Sequence, residues 1–382
     1  MHRIIKLYLG LLLLFVLSGC WSSKTIQHMD YATAIGLDYK DGFYITYIQV
    51  LSFSQVAKTE TMEIGKSIPV WVGKGQGKTV SEALSSLYRT SQLRVYWGHV
   101  RAIVFSDAFA RNKQALQQAY DSINRYREIR YNILVYGTKE PLPKILTQQS
   151  ILNLSPLDTI LDSPQDSYEQ QSEIAPQYAF RVISEINEPM RATYLPTLAT
   201  TDESWTENEK KKSMFLNDGA YIMQNKEFKG WFSLDDLIGS KWMEKRTKRF
   251  LINVPAGDNP HIAISLNNPR YRIKPYIDKN EVKFNIDVRI KGNVEEMTEN
   301  YSISKLEAEA AAVVRSQILH TYRKGLPNQT DILNLLGVFY RNQPREWQRL
   351  NKMNKIVLKE DTLNKISVKI TLIHTGKYKA RI

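Results

Sequence analysis

A single cysteine stands in 382 residues. Such a chain can form no internal disulfide, so its folded part must be held by packing. Histidine is scarce as well, six in all, and none fall at the spacings of a zinc site or a metalloprotease helix. There is no Gly-x-Ser-x-Gly elbow. No apolar run beyond residue 17 approaches the roughly 20 residues that cross a hydrocarbon core of about 30 Å. These absences exclude a disulfide scaffold, a histidine-built metal centre, an α/β-hydrolase nucleophile and a multi-spanning membrane protein. What remains is a chain that is 43% hydrophobic, enough for ordinary cores, and basic, with a formal net charge of +13.

The position of the one cysteine is informative. Arg3 and Lys6 make a short basic head, Leu7 to Leu17 carry no charged side chain, and Leu17-Ser18-Gly19 leads with small residues to Cys20. Residues 1–19 are therefore expected to be a secretory signal that is removed. Leu-Ser-Gly-Cys resembles the bacterial lipobox. That resemblance implies a diacylglycerol on the Cys20 sulfur and a mature chain that begins there, tethered to a bilayer. Each buried lipid methylene would contribute about 0.8 kcal/mol, so two chains anchor firmly.

Loss of Arg3 and Lys6 brings the net charge from +13 to +11. Export argues against nucleic acid as a partner, and a basic face opposite anionic headgroups is the more physical use of that charge. The two densest runs, Lys210-Lys211-Lys212 and Lys241 to Arg249, read as solvated faces.

Length suggests two or three domains at roughly 100–200 residues each. Tyr31 to Leu51 reads as two strands around an Asp41-Gly42 turn. Ile68 to Val72 reads as a strand, followed by the glycine-rich Gly73 to Thr79, which misses the phosphate-loop pattern because Val72 occupies the first glycine position. Thr79 and Glu82 fit a capping box for a helix with Val80, Ala83, Leu84 and Leu87 on one side. A helix is expected over 108–127, a strand over 131–136, and His99 as a hydrogen-bonded structural residue. Loop-rich sequence follows from Pro141 to Gln177, and Thr200 to Lys212 reads as a polar bridge. Ser233 is expected to cap a helix, with Asp235 and Asp236 as dipole partners rather than an acid–base pair. Glu281 to Ile290 alternates cleanly as a half-buried strand. Ser304 and Glu307 suggest a second capping box for a helix ending near Gly325, with a further helix over 331–341 and a last strand over 366–373.

These elements predict an α+β fold of sheets with packed helices; its division into three consecutive domains, each a mainly antiparallel sheet, is what a family resemblance implies. The divisions are 1–19 for the signal, 20–148 for an N-terminal domain, 149–249 for a middle domain with a loop-rich junction, and 250–382 for a C-terminal domain.

The order of signals resembles the Ger(x)C lipoproteins, the C subunits of nutrient germinant receptors in spore-forming bacteria. The resemblance rests on Cys20-Trp21, Ile35-Gly36-Leu37-Asp38, Thr79 to Leu87 leading to Gly98-His99-Val100-Arg101, and Arg127-Glu128-Ile129-Arg130. Gly219 to Trp231 and the Ser304 to Glu309 helix, followed by Asp331 and Trp347, extend it nearly to the end. Ser22 and Thr25 depart from it, where acidic residues are usual. It implies three α+β domains and a non-enzymatic subunit attached through Cys20 to the outer surface of the spore inner membrane. Membrane-embedded A and B subunits would be its partners, and no cofactor, metal or catalytic residue is implied. Two rivals remain. An exported cell-wall hydrolase could use Ser302 and Lys305 with His374-Thr375-Gly376, although no Ser-Asp-Asn stands between them. A solute-binding lipoprotein is the other.

Overall fold

The structure, a computed structural model, describes residues 29–51, 68–125, 128–255, 262–298 and 301–374. The chain first makes β1 (Met29–Lys40) and β2 (Phe43–Leu51), joined by Asp41 and Gly42, both at positive φ, as the twist of a two-residue hairpin requires. Next come β3 (Trp71–Gly77), α1 (Val80–Ser86), β4 (Arg94–Tyr96), β5 (Ala102–Ser106), α2 (Asp107–Arg111), α3 (Lys113–Arg125) and β6 (Leu134–Thr138). After α4 (Leu142–Leu146), α5 (Gln165–Gln170) and α6 (Ala179–Asn187), a meander follows of β7 (Ala192–Glu207), β8 (Lys210–Gln224) and β9 (Glu227–Ser233).

These nine strands form one sheet, ordered β3-β2-β1-β5-β6-β7-β8-β9, with β4 also on β1. Strands β1, β5, β6 and β7 run parallel, and the flanks are antiparallel. A parallel centre needs cover on both faces. Ile35, Leu37, Ile103, Phe105 and Val135 pack under α1, α2, α3 and α6, while Ala34, Ala102, Val104 and Tyr136 pack under α4. The expectation of one sheet per domain is thus corrected: the N-terminal and middle segments share a mixed sheet across residue 148. Their join is narrow. β6 and β7 pair at Gly137↔Thr197, supported by the Thr138 hydroxyl donating to Leu198 O at 2.8 Å and the Tyr221 hydroxyl donating to Thr138 O at 3.0 Å.

The second sheet holds β10 (Arg249–Val254), β11 (Ile262–Asp278), β12 (Glu281–Met297) and β13 (Leu363–His374) in that order. The alternation read in Glu281 to Ile290 holds: Val282, Phe284, Ile286, Val288 and Ile290 are buried. Over them lies α7 (Ile303–Gly325), through Leu306, Ala310, Val314 and Ile318, with α8 (Leu335–Asn342) and α9 (Pro344–Lys352) beside it. The α+β class stands.

Several local expectations change. The glycine-rich stretch is itself strand β3, because a Cβ on Gly75 would lie 2.0 Å from Ala83 O, and the missing side chains let α1 rest on the strand. Thr79 does cap α1, accepting from Glu82 N at 3.1 Å, while Glu82 reaches back to Lys78 N at 2.7 Å. The 108–127 helix is two helices, the second begun by Asn112, whose side chain takes Ala115 N. Ser233 and Asp236 exchange reciprocal capping bonds of 3.1 Å, yet turns and a short 3₁₀ segment follow instead of an α-helix. Ser302 rather than Ser304 caps α7. The polar bridge of 200–212 is a hairpin ribbon formed by β7 and β8, turning at Asn208-Glu209.

Candidate functional site at the junction of the two sheets

Cys20 lies outside the described residues, as do Trp21, Arg127, Thr375 and Gly376. The other residues singled out by sequence occupy local roles. The His99 ring meets Tyr31 edge-on at 5.2 Å, and burial, with Arg101 and Arg130 nearby, lowers its pKa. Ser302 accepts from Lys305 N as a helix cap, and the Lys305 ammonium sits over the Tyr301 ring at 4.4 Å, so the pair is not arranged as nucleophile and base. Asp236 binds Lys324 at 2.8 Å and Asp235 faces His320 at 3.5 Å, which makes both partners of α7.

The densest polar constellation lies where the C-terminal unit meets the large sheet. Asp331 is fully buried, and its carboxylate accepts from Leu335 N at 2.9 Å and Leu336 N at 2.6 Å, opening α8. Its own N–H donates to the Gln224 side chain on β8, which in turn donates to Met190 O. Asn334, held at positive φ, clamps β7 by accepting from Ala192 N at 2.8 Å and donating to Ala192 O at 3.1 Å. The Tyr194 hydroxyl donates to Ile332 O. The large sheet's β7 and β8 are thereby fixed to the loop that opens α8 in the C-terminal unit.

Charged groups line a cleft of about 440 Å³ beside this clamp. Arg191 donates to Glu185 at 2.7 Å, Glu188 is shared by Arg191 and Arg341, and Arg246 pairs with Glu244 at 2.9 Å while also donating to Pro176 O. Burial raises the Glu185 pKa against the pull of Arg191; Glu244 is half-buried, and its bonds to Arg246 bring it below the usual range. Lys241 is 5% exposed, 3.0 Å above the Phe250 ring, and burial pushes its pKa down to about 7. That corrects the solvated-face reading of the Lys241 to Arg249 run, in which Thr247 is buried as well. Lys210 and Lys211, by contrast, are exposed near the ribbon tip.

Chemically, the cleft holds ion pairs and backbone clamps. Its Ser240 hydroxyl donates to Leu237 O rather than to a base. Such a set resists sliding of one packed unit against the other, since that would break buried bonds. Sequence reading missed it. The available signals were a lysine set beside the apolar Trp242-Met243, and an aspartate four residues ahead of the apolar Leu335-Leu336 run.

A second cavity, of about 220 Å³, lies between α3, α6 and the large sheet. Leu116, Val135, Val182, Leu195 and Met223 line it, with Lys113 and Lys226 exposed beside it. Among the described residues no helix is long and apolar enough to cross a membrane.

Comparison with known proteins adds the following. Residues 22–200 match the family model of the spore germination protein N-terminal domain, and residues 218–376 match that of the spore germination B3/GerAC-like C-terminal domain. Spore germination protein KC of Bacillus subtilis (strain 168) is 22% identical over 368 residues, covering 90% of this chain and 88% of that protein. Spore germination protein B3 of the same organism is 23% identical over 290 residues, covering 73% and 71%. The crystal structure of the GerBC protein is similar in fold, with a TM-score of 0.52 at 15% identity, over 90% of this chain and 98% of that one.

Proposed function

From the premise that this chain belongs to the GerAC-like spore germination family, we propose that it is the lipid-anchored, non-enzymatic C subunit of a nutrient germinant receptor. It is held at Cys20 on the outer surface of the spore inner membrane and works beside membrane-embedded A and B subunits. The observation that carries this reading is that two germination-family models together cover residues 22–200 and 218–376. Cys20, placed after a basic head, an apolar run and Leu-Ser-Gly, supports the anchor. The cell-wall hydrolase reading loses its motif, since the Ser302 hydroxyl serves as a helix cap.

Detergent extraction of the chain from spore membranes, followed by identification of what stays bound and mass spectrometry of its N-terminal peptide, tests the proposal. Two multi-spanning proteins and a diacylglycerol on Cys20 are expected. A chain recovered alone and folded would overturn the receptor assignment, and an unmodified Cys20 would overturn the anchor. One observation favours a second reading as a solute binder, the apolar cavity between α3 and α6. Its mark would be a ligand-dependent rise in melting temperature, corresponding to about 2.7 kcal/mol at 100 times the dissociation constant.

A further inference from the structure

We propose that the end of the large sheet at which β1 begins is a lipid-facing surface that rests on anionic headgroups, fixing how the molecule stands on its membrane. The inference deepens the anchoring part of the proposed function and rests on Cys20 as the tether.

The topology brings the relevant residues together. β1 runs parallel to β4 and β5, and β5 runs parallel to β6, with Met29↔Arg94, Ala34↔Ala102 and Ala102↔Leu134 in register. β3 shares that direction, because Trp71 pairs with Val50 and Val50 with Ala32. The starts of five strands therefore lie at one end, the end at which the chain enters from Cys20. The first turn of α6 lies there too, since Phe180 N donates to Tyr131 O at 3.1 Å.

This end is apolar where a soluble surface would not be. Trp71 is 71% exposed and Tyr131 59%, and Leu93 and Phe180 are exposed beside them. Among the described residues before 147, the exposed large apolar side chains other than Tyr120 all lie here. Between them stand the exposed Arg89, Arg94, Arg101 and Arg130, against Asp30 and Glu128. Asp30 accepts from the Ser91 hydroxyl, and Glu128 lies 3.6 Å from Arg94. Amphipathic aromatics interleaved with arginines suit a headgroup layer, where rings reach the acyl boundary and guanidiniums meet phosphate. The far end of the same strands is different in kind. It carries Asp38, Asp41, Asp107, Glu140 and Asp218 around the strand ends, the last three paired with Arg111, Lys144 and Lys139, and among the described residues no exposed large aromatic stands with them.

The tether sets the occupant. Nine residues, Cys20 to His28, precede Met29, and at about 3.4 Å per residue they reach at most roughly 30 Å. A lipid at Cys20 therefore keeps this end within that distance of the bilayer at all times, so even modest attraction holds it down. Each arginine near an anionic surface contributes roughly a fivefold gain in binding.

The test uses the chain as isolated from membranes, reconstituted without partner proteins into vesicles of phosphatidylcholine with 30% phosphatidylglycerol, with a lipid brominated near the headgroup as quencher. Quenching is expected to be clearly smaller in Trp71→Phe, a change at an exposed site; Trp21, next to the anchor, contributes equally to both. Combined Arg94→Glu and Arg130→Glu, or vesicles of phosphatidylcholine alone, should remove most of the Trp71 component. Equal quenching with and without Trp71 would overturn the inference. So would a Trp71 signal that appears only when membrane-embedded proteins are added, which would make this end a protein contact. Mass spectrometry of Cys20 on the same sample separates failure of the anchor from failure of the surface.

Discussion

The four-stranded sheet is a long hairpin with two flanking strands laid against a 23-residue helix and two shorter ones beside it, whereas the nine-stranded sheet is covered on both faces and draws on chain from residue 29 to residue 233. In the smaller sheet β11 and β12 pair along nearly their whole length, so its register follows from local alternation. The larger one is held at its middle by pairings such as Thr138 with Leu198, 60 residues apart. Continuous local pairing makes a unit whose weak point is its single core. A sheet assembled from distant segments has its weak point at the seam.

The sharpest way to break the smaller unit is therefore through its core. Phe339 is fully buried and meets Phe284 edge-on at 6.5 Å. Phe339→Ala should cost about 3–5 kcal/mol in denaturant melts. Hydrogen exchange should then show protection lost in β10 to β13 while β1 to β6 keep theirs. Equal loss in both sheets would mean that the junction makes them one cooperative unit.

The larger sheet should break at Gly137. A Cβ there would lie 2.3 Å from the Tyr221 ring, which sits at the β6–β7 seam. Gly137→Ala forces that ring to move, at a cost of about 1–3 kcal/mol. Two transitions in place of one would locate the boundary between the N-terminal and middle segments at the seam, near the expected division after 148. A shift in midpoint with unchanged cooperativity would count against a boundary there.

Two buried aspartates sharpen the comparison further, one in each unit. Burial pushes both Asp162 and Asp331 up to about 7. Asp331 has amides aimed at it, while neither carboxylate oxygen of Asp162 has a hydrogen-bond partner. A carboxyl whose folded pKa is raised gives stability that is complete below its ordinary value near 4 and is lost as pH rises through about 7. These two carboxyls should thus stabilise the protein more at pH 5 than at pH 8, opposed in part by Lys241, whose lowered pKa favours the folded state as pH rises past about 7. Asp162→Asn should reduce that slope and stabilise by on the order of 1 kcal/mol at pH 8. Asp331→Asn turns an N–H₂ toward amide donors and should destabilise at both values. A variant at 162 that melts lower at pH 8 would refute the assignment of the slope to that carboxyl.

Legibility divides along the same line. The β1–β2 turn, the Thr79 cap, the β12 alternation and the α7 helix are readable, because each depends on residues within a few positions of one another. Continuity of the sheet across residue 148 is not, since the Gly137 and Thr197 segments carry no local mark of their pairing. Lys241 misleads because a charge run reads as a solvated face, while its neighbours Trp242 and Met243 are core residues. The junction clamp was invisible for a related reason: Gln224, Asn334 and Asp331 are ordinary polar residues until the fold buries them together.

The ribbon at the end of β7 and β8 is the region where neither sheet's rules apply. It reads as polar because no layer covers it: Asp202, Glu203 and Ser204 bulge against Ser213, and Trp205, facing Lys212, is 54% exposed. The matched family segments end at 200 and resume at 218, so the ribbon's outer part falls between them. With no core beneath it, Trp205→Ala should change thermal stability by no more than about 0.5 kcal/mol, against the several lost at Phe339. A drop above about 1 kcal/mol would show that the ring is packed in solution, and the ribbon would then have to be counted with the sheet that carries it.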